Sequence, residues 1–154
     1  IAVIKGNKGE ISVLAGADAE VRGVESVGVY EKIAVNARKL SRKEGAVVVV
    51  SGAEDIITDG ETIYRVKNGH HLLGRVVGTG CMLSSTLGVF CGVEENYLEA
   101  SKKAVASFSI VGEEAGEEAN REASYKIAFL DRISLLNDRN SNNKIEIEQM
   151  EEFK

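Results

Sequence analysis

The chain has 154 residues, 44% hydrophobic and 28% charged, with a formal net charge of -5 at pH 7. That length suffices for a sizeable core, and the acidic balance disfavours a nucleic-acid or anionic-membrane partner. No run approaches the roughly 18 apolar residues of a membrane span, no signal peptide is visible, and two cysteines are too few for a disulfide framework, which fits a reducing, cytoplasmic setting.

Residues 1–4 are apolar and predict a buried strand, ended by Lys5-Gly6. The chain starts at Ile1, with no initiator Met and inside that strand, so it reads as the later part of a longer protein. Asn7 can cap a short helix through Ala15, with Gly16 as its stop. Residues 18–25 read as a loop. Residues 26–44 are helical by spacing, because Val29, Ile33, Ala37 and Leu40 share one face, and Gly45 suits the residue just past the helix end. Residues 46–50 are uniformly apolar and β-branched, the pattern of a strand covered on both faces in a parallel sheet. Ser51-Gly52 closes it.

Residues 55–58 and 61–66 flank Asp59-Gly60, a two-residue hairpin signal. Asn68-Gly69 is a second turn, and residues 72–77 lead into Gly78-Thr79-Gly80-Cys81. Residues 82–90 predict an apolar, buried helix. Asn96 with Glu99 is a capping-box pattern that opens another helix, whose apolar side carries Val105, Phe108, Val111 and Ala115. Residues 113–122 read as an exposed acidic end, residues 125–130 as a possible strand, residues 137–143 as a polar loop and residues 144–154 as a charged terminal element. The order implies an α/β fold, a mainly parallel sheet flanked by helices with an antiparallel hairpin at its edge, and no internal domain boundary.

The glycine loop is the first candidate site. Glycine permits close backbone approach to a ligand, and a helix starting there aims N–H groups and a positive dipole end at one point, an anion site made of backbone. Gly-x-Gly pairs also serve tight strand-to-helix turns, and a free cysteine is often simply buried, so the loop alone leaves both readings open. It is neither a Walker A loop nor a dinucleotide fingerprint. In the functional reading, Cys81 stands where it can orient a substrate alcohol or take its proton. Cys91 reads as structural. Asn7 and Glu10 make a capping box by spacing, while a carboxylate just beyond a strand end can also hold Mg²⁺ beside nucleotide phosphates. Lys5 and Ser51 stand at strand ends as well, where ligands sit in such sheets. His70 and His71 lack a companion at metal-ligand spacing and read as surface or hinge residues. Glu113, Glu114, Glu117 and Glu118 read as a solvated acidic face.

These stretches resemble the hydroxyethylthiazole kinase family within the ribokinase-like superfamily. The resemblance is carried by Val3-Ile4-Lys5-Gly6-Asn7-Lys8-Gly9-Glu10-Ile11, Gly23-Val24-Glu25-Ser26, Val50-Ser51-Gly52 with Asp55, Asn68-Gly69-His70, Gly78-Thr79-Gly80-Cys81-Met82-Leu83-Ser84, and Phe90-Cys91 through Glu94-Glu95-Asn96. Gly-Thr-Gly-Cys is the specific motif, because most ribokinase-like enzymes carry aspartate where this chain has Cys81. The resemblance implies ATP- and Mg²⁺-dependent phosphorylation of the hydroxyethyl group of 4-methyl-5-(2-hydroxyethyl)thiazole, a thiamine salvage step. By carry-over, Gly78, Thr79, Gly80 and Cys81 form the anion hole, Cys81 faces the substrate hydroxyl and Gly78 lies at the thiazole alcohol. Lys5, in a place usually held by arginine, Asn7 and Ser51 contact ATP, and Glu10 serves magnesium. The resemblance also implies a homotrimer and makes residues 1–154 the C-terminal portion of one ribokinase-like kinase domain, with the family's N-terminal part absent. Residues 123–126 lack the Gly-Pro-Gly that often precedes this segment in the family. Other small-alcohol kinases of pyrimidine or pyridoxal type, a non-catalytic nucleotide-binding module and a redox-active cysteine protein are the alternatives.

Overall fold

A computed structural model describes residues 1–16, 27–135 and 145–151. The loop expected at residues 18–25 and the polar loop expected at 137–143 lie outside the described residues. The chain divides into two compact units, Ile1–Arg65 with the residues from Glu148 onward, and Val66–Ile147. A mixed five-stranded sheet runs in the order β1-β2-β3-β4-β5.

In the first unit, β1 (Val3–Asn7) lies parallel to β2 (Val47–Ser51), with Lys5 opposite Val49, Gly6 opposite Val50 and Asn7 opposite Ser51. The strand therefore runs three residues past its expected end. Gly6 does not stop it; a β-carbon there would come within 3.1 Å of Glu10 and Ile11, so the glycine admits the close approach of α1 (Lys8–Leu14). On its other side β2 pairs antiparallel with β3 (Asp55–Thr58). The uniform burial of β2 is as its sequence predicts, although only one of its neighbours is parallel. Helix α2 (Val27–Glu44) buries Ile33, Ala37 and Leu40. These join Ile11, Ala34, Val48, Val50, Ile56 and Ile63 in one core.

The connection from β3 to β4 (Ile63–Val66) holds four residues, not two. Asp59 Oδ1 accepts the N–H groups of Glu61 and Thr62 at 3.0 and 2.8 Å, and Thr58 Oγ1 accepts the Gly60 N–H at 3.0 Å. An aspartate that caps its own turn this way makes the longer connection the stable one. Arg38 and Arg42 both donate to the Gly60 carbonyl. The expected terminal element contains β5 (Ile147–Gln149), which lies beyond β4, so the hairpin has a further strand outside it. Arg65 bridges Glu54 and Glu148.

The second unit is helical: α3 (Thr79–Cys91), α4 (Tyr97–Glu118) and α5 (Glu122–Ile133), preceded by a 3-10 turn at His71–Gly74. Helix α4 buries Val105, Phe108, Val111 and Ala115, the face its spacing marks. Asn96 caps it by accepting from Leu98 and Glu99 N–H groups; the reciprocal bond of a capping box is replaced, since Asn96 N–H donates to Glu94 and Glu99 pairs with Lys102. Residues 113–118, expected as an exposed end, continue α4. Residues 125–130, expected as a possible strand, lie in α5: Tyr125 and Phe129, four apart, are buried while Ile127 and Leu130 face out. Aromatic and β-branched content mimics strand propensity there, and helical burial decides otherwise. Helix α3, expected to be buried, buries only Leu83 and Leu87 among its described residues and leaves Val89 exposed. Among the described residues no helix is long and apolar enough to cross a membrane.

Candidate active site

In the first unit the parallel pairing of β1 and β2 aligns their carboxyl ends. Asn7 stands opposite Ser51 in register and Lys5 lies two residues back on β1, so the structure brings together three of the residues marked in the sequence. Ser51 Oγ donates to the Gly6 carbonyl at 3.4 Å, across the two strands. Asn7 Oδ1 accepts the Glu10 N–H at 3.0 Å, and Glu10 Oε2 accepts the Asn7 N–H at 2.7 Å. The full capping box fixes both side chains at the strand end. One carboxylate oxygen of Glu10 is thus committed to the backbone. Among the described residues no three His, Cys, Asp or Glu side chains gather as a metal site. A divalent cation at Glu10 would therefore complete its shell with water or phosphate oxygens, the usual habit of Mg²⁺.

In the second unit the glycine loop starts α3. Gly78 is the N-cap residue, with φ 103° and ψ -14° and no side-chain cap. That left-handed conformation strongly favours glycine. The nearest atom to a β-carbon there would be Met82 Cε at 3.8 Å, so conformation rather than space selects the residue. The first helical bond runs from Met82 N–H to Gly78 O at 2.9 Å, and the Thr79 N–H turns back to Val76 O at 3.5 Å; a helix start in general directs its first N–H groups along the axis toward the preceding loop. Thr79 Oγ1 donates to Leu73 O at 2.7 Å and lies 3.0 Å from Val76 O. The hydroxyl thus ties the start of α3 to the 3-10 turn before it. That turn replaces the strand that a strand-to-helix reading would place there. Cys81 is exposed, so it is not the buried cysteine of the bland alternative. Cys91 is half-buried, and burial pushes its thiol above the ordinary range, which suits a structural residue. Ser84, Ser85 and Thr86 give their hydroxyls back to the Gly80, Cys81 and Met82 carbonyls, within their own helix.

A support for this loop was not legible in the sequence. Asn68, only 3% exposed, places its amide against the Glu113 carboxylate, which also accepts the Gly69 N–H at 2.8 Å. Asn68 Oδ1 in turn accepts the Glu146 N–H at 2.7 Å. Gly112 and Gly116 flank Glu113 on α4 and admit Leu73 and His70: a β-carbon on either glycine would lie 2.6 Å from those side chains. Tyr125 closes the cluster. Its hydroxyl donates to Gly112 O at 2.9 Å and its ring stacks on His70 at 5.3 Å. Burial pushes the Tyr125 phenol up to about 12. Burial and then the neighbouring His71 lower the His70 pKa, against an opposing pull from Glu113. His70 is therefore a packed residue rather than a surface one, while His71 is exposed as expected. Glu113 leaves the solvated acidic face, and Glu114 and Glu118 share Arg132. The signal available in the sequence was the Gly112–Gly116 spacing around a carboxylate on an otherwise buried helix face.

The profile of the Hydroxyethylthiazole kinase family (HK) matches residues 1–139. A protein of Methanocella arvoryzae named hydroxyethylthiazole kinase is 49% identical over 133 residues, covering 86% of this chain and 50% of that protein. One of the same name from Thermoanaerobacter sp. is 49% identical over 135 residues, covering 86% and 51%. The solved structure of the hydroxyethylthiazole kinase protein from Pyrococcus horikoshii OT3 superposes with a TM-score of 0.85 at 34% identity, over 98% of this chain and 56% of that one. The chain spans about half the length of these relatives.

Proposed function

The chain belongs to the hydroxyethylthiazole kinase family, and from that membership we propose that it forms the C-terminal portion of a single ribokinase-like domain that phosphorylates the hydroxyethyl group of 4-methyl-5-(2-hydroxyethyl)thiazole. The relatives named for this activity support the substrate, and a kinase of that family implies a nucleotide. The finer reading is an ATP- and Mg²⁺-dependent cytoplasmic enzyme of thiamine biosynthesis, working as a homotrimer.

When bound, ATP supplies the phosphoryl group and Mg²⁺ offsets its charge. The residues at Gly78, Thr79, Gly80 and Cys81 form the anion hole for the group in transfer, where backbone N–H groups aimed at developing charge cost no reorganisation. Cys81 orients the alcohol and receives its proton as the new O–P bond forms and the bond to the leaving diphosphate breaks. Gly78 lies at the alcohol. Lys5, Asn7 and Ser51 hold the nucleotide, and Glu10 holds the metal while capping α1. The observation that carries the reading is the left-handed start of α3 at Gly78 with an exposed cysteine three residues on.

The test is phosphate transfer from MgATP by the intact protein to the thiazole alcohol, a hydroxymethylpyrimidine and pyridoxal. Transfer to the thiazole alcohol in preference to the others is expected. Preference for another alcohol would reassign the substrate, and binding of MgATP without transfer to any would make the protein a nucleotide-binding module.

A further inference from the structure

Lys8 stands beside the strand-end residues and has no part in the reading so far. It is the first residue of α1, and its side chain passes over Gly52, the residue that follows β2. A β-carbon on Gly52 would lie 2.9 Å from Lys8 Cε and 3.8 Å from Nζ, so the ammonium is held against the turn next to Ser51. The Tyr30 ring of α2 also lies against it, with Nζ 4.5 Å from the ring centroid.

That environment is unbalanced. A ring face attracts an ammonium but accepts none of its hydrogen bonds as an oxygen would. Among the described residues no carboxylate pairs with Lys8, whereas Lys43, Lys102 and Lys103 each pair with a glutamate. A half-buried charge held in place without an acidic partner has donors left for an anion. The spot adjoins Asn7, its neighbour in the chain, and Ser51, opposite Asn7 in register.

We propose that Lys8, seated on Tyr30 over Gly52, is a phosphate-binding residue for the nucleotide. This rests on the kinase reading above. Two lysines, Lys5 and Lys8, then give two point charges at this end of the sheet where a single arginine would give a planar fork.

The test is calorimetric binding of MgATP and of adenosine to the intact protein and to Lys8→Met, Lys8→Arg and Tyr30→Leu. Lys8→Met keeps the apolar stem and should weaken MgATP about tenfold, the loss of one charge-assisted contact. Adenosine, which carries no phosphate, should bind as before, Lys8→Arg should recover most of the affinity, and Tyr30→Leu should lose part of it with α2 intact by thermal melting. Lys8→Met binding MgATP within twofold of the parent, or losing adenosine equally, would overturn the assignment. Failure of the parent protein itself to bind MgATP would instead remove the kinase reading on which it rests.

Discussion

The Glu113 carboxylate on α4 accepts the Gly69 N–H at 2.8 Å, joining residues 44 apart in the chain. The bond holds the segment that continues, through the 3-10 turn, into Gly78. Glu113→Ala strips a partner from the Gly69 N–H and from the buried Asn68 amide together. Unfolding in urea should show a loss of about 2 kcal/mol, with kcat falling alongside. Glu113→Gln keeps one acceptor oxygen and should lose about half as much.

Gly116 and Gly88 are both helical glycines, yet they differ in their surroundings. A β-carbon on Gly116 would stand 2.6 Å from the His70 ring, whereas one on Gly88 meets nothing within 4 Å. Gly116→Ala should cost about 1–3 kcal/mol through displaced packing. Gly88→Ala should gain about 0.5–1 kcal/mol from its lower unfolded-state entropy. Equal melting shifts for the two would contradict the packing described.

Tyr125 gives the cluster a signature at alkaline pH. Its folded pKa is pushed up to about 12, against about 10 for an unfolded tyrosine. The folded state favours the neutral phenol, so the stabilisation is full below about pH 10 and is lost as pH rises through about 12. The stability gap between the parent and Tyr125→Phe should be flat from pH 7 to 9 and shrink by pH 11, as read from denaturation at each pH.

Thr79→Val removes the hydroxyl that ties the start of α3 to Leu73 O, and Thr79→Ser retains it. A loss of about 1 kcal/mol and a lower kcat are expected for valine alone. A valine variant with unchanged kcat would mean that this tie does not set the loop.

Cys81 carries the chemical prediction. In the proposed mechanism the thiol acts on the reacting oxygen, so Cys81→Ala should lower kcat more than it raises KM for the alcohol. Cys81→Asp should keep or improve turnover, since an aspartate side chain is already ionised at neutral pH and can accept a hydrogen bond or proton from the alcohol. Parent and alanine variants with equal turnover would leave Cys81 without a role.

The local structure of both candidate clusters was legible in the sequence, because each is written within a few residues. Asn7 and Glu10 are three apart and cap each other, and Gly78 supplies the backbone conformation that starts α3. What escaped reading depends on partners distant in the chain. Glu113 looks like one more surface acid until Asn68 and Gly69 are set against it. Tyr125-Lys126-Ile127-Ala128-Phe129 has the composition of a strand, and only its packing, with Phe129 against Phe108 at 4.9 Å, makes it a helix. Strand β5 is three residues long, too short for any alternation to announce it.

The ion bridge from Arg65 to Glu148 bears on how the molecule assembles. Its ends are 83 residues apart, and all of the second unit lies between them in the chain. Pairing of β5 therefore closes a long loop, whose entropy grows only as the logarithm of its length but must be met before the contact forms. Non-local steps of this kind slow folding. On the ribosome, residues 1–65 emerge before Glu148 and wait with β4 uncovered until the chain has been made through that residue. Refolding should accordingly show β1 to β4 and the α1–α2 layer protected from hydrogen exchange early, with protection of Ile63 and its neighbours completed last.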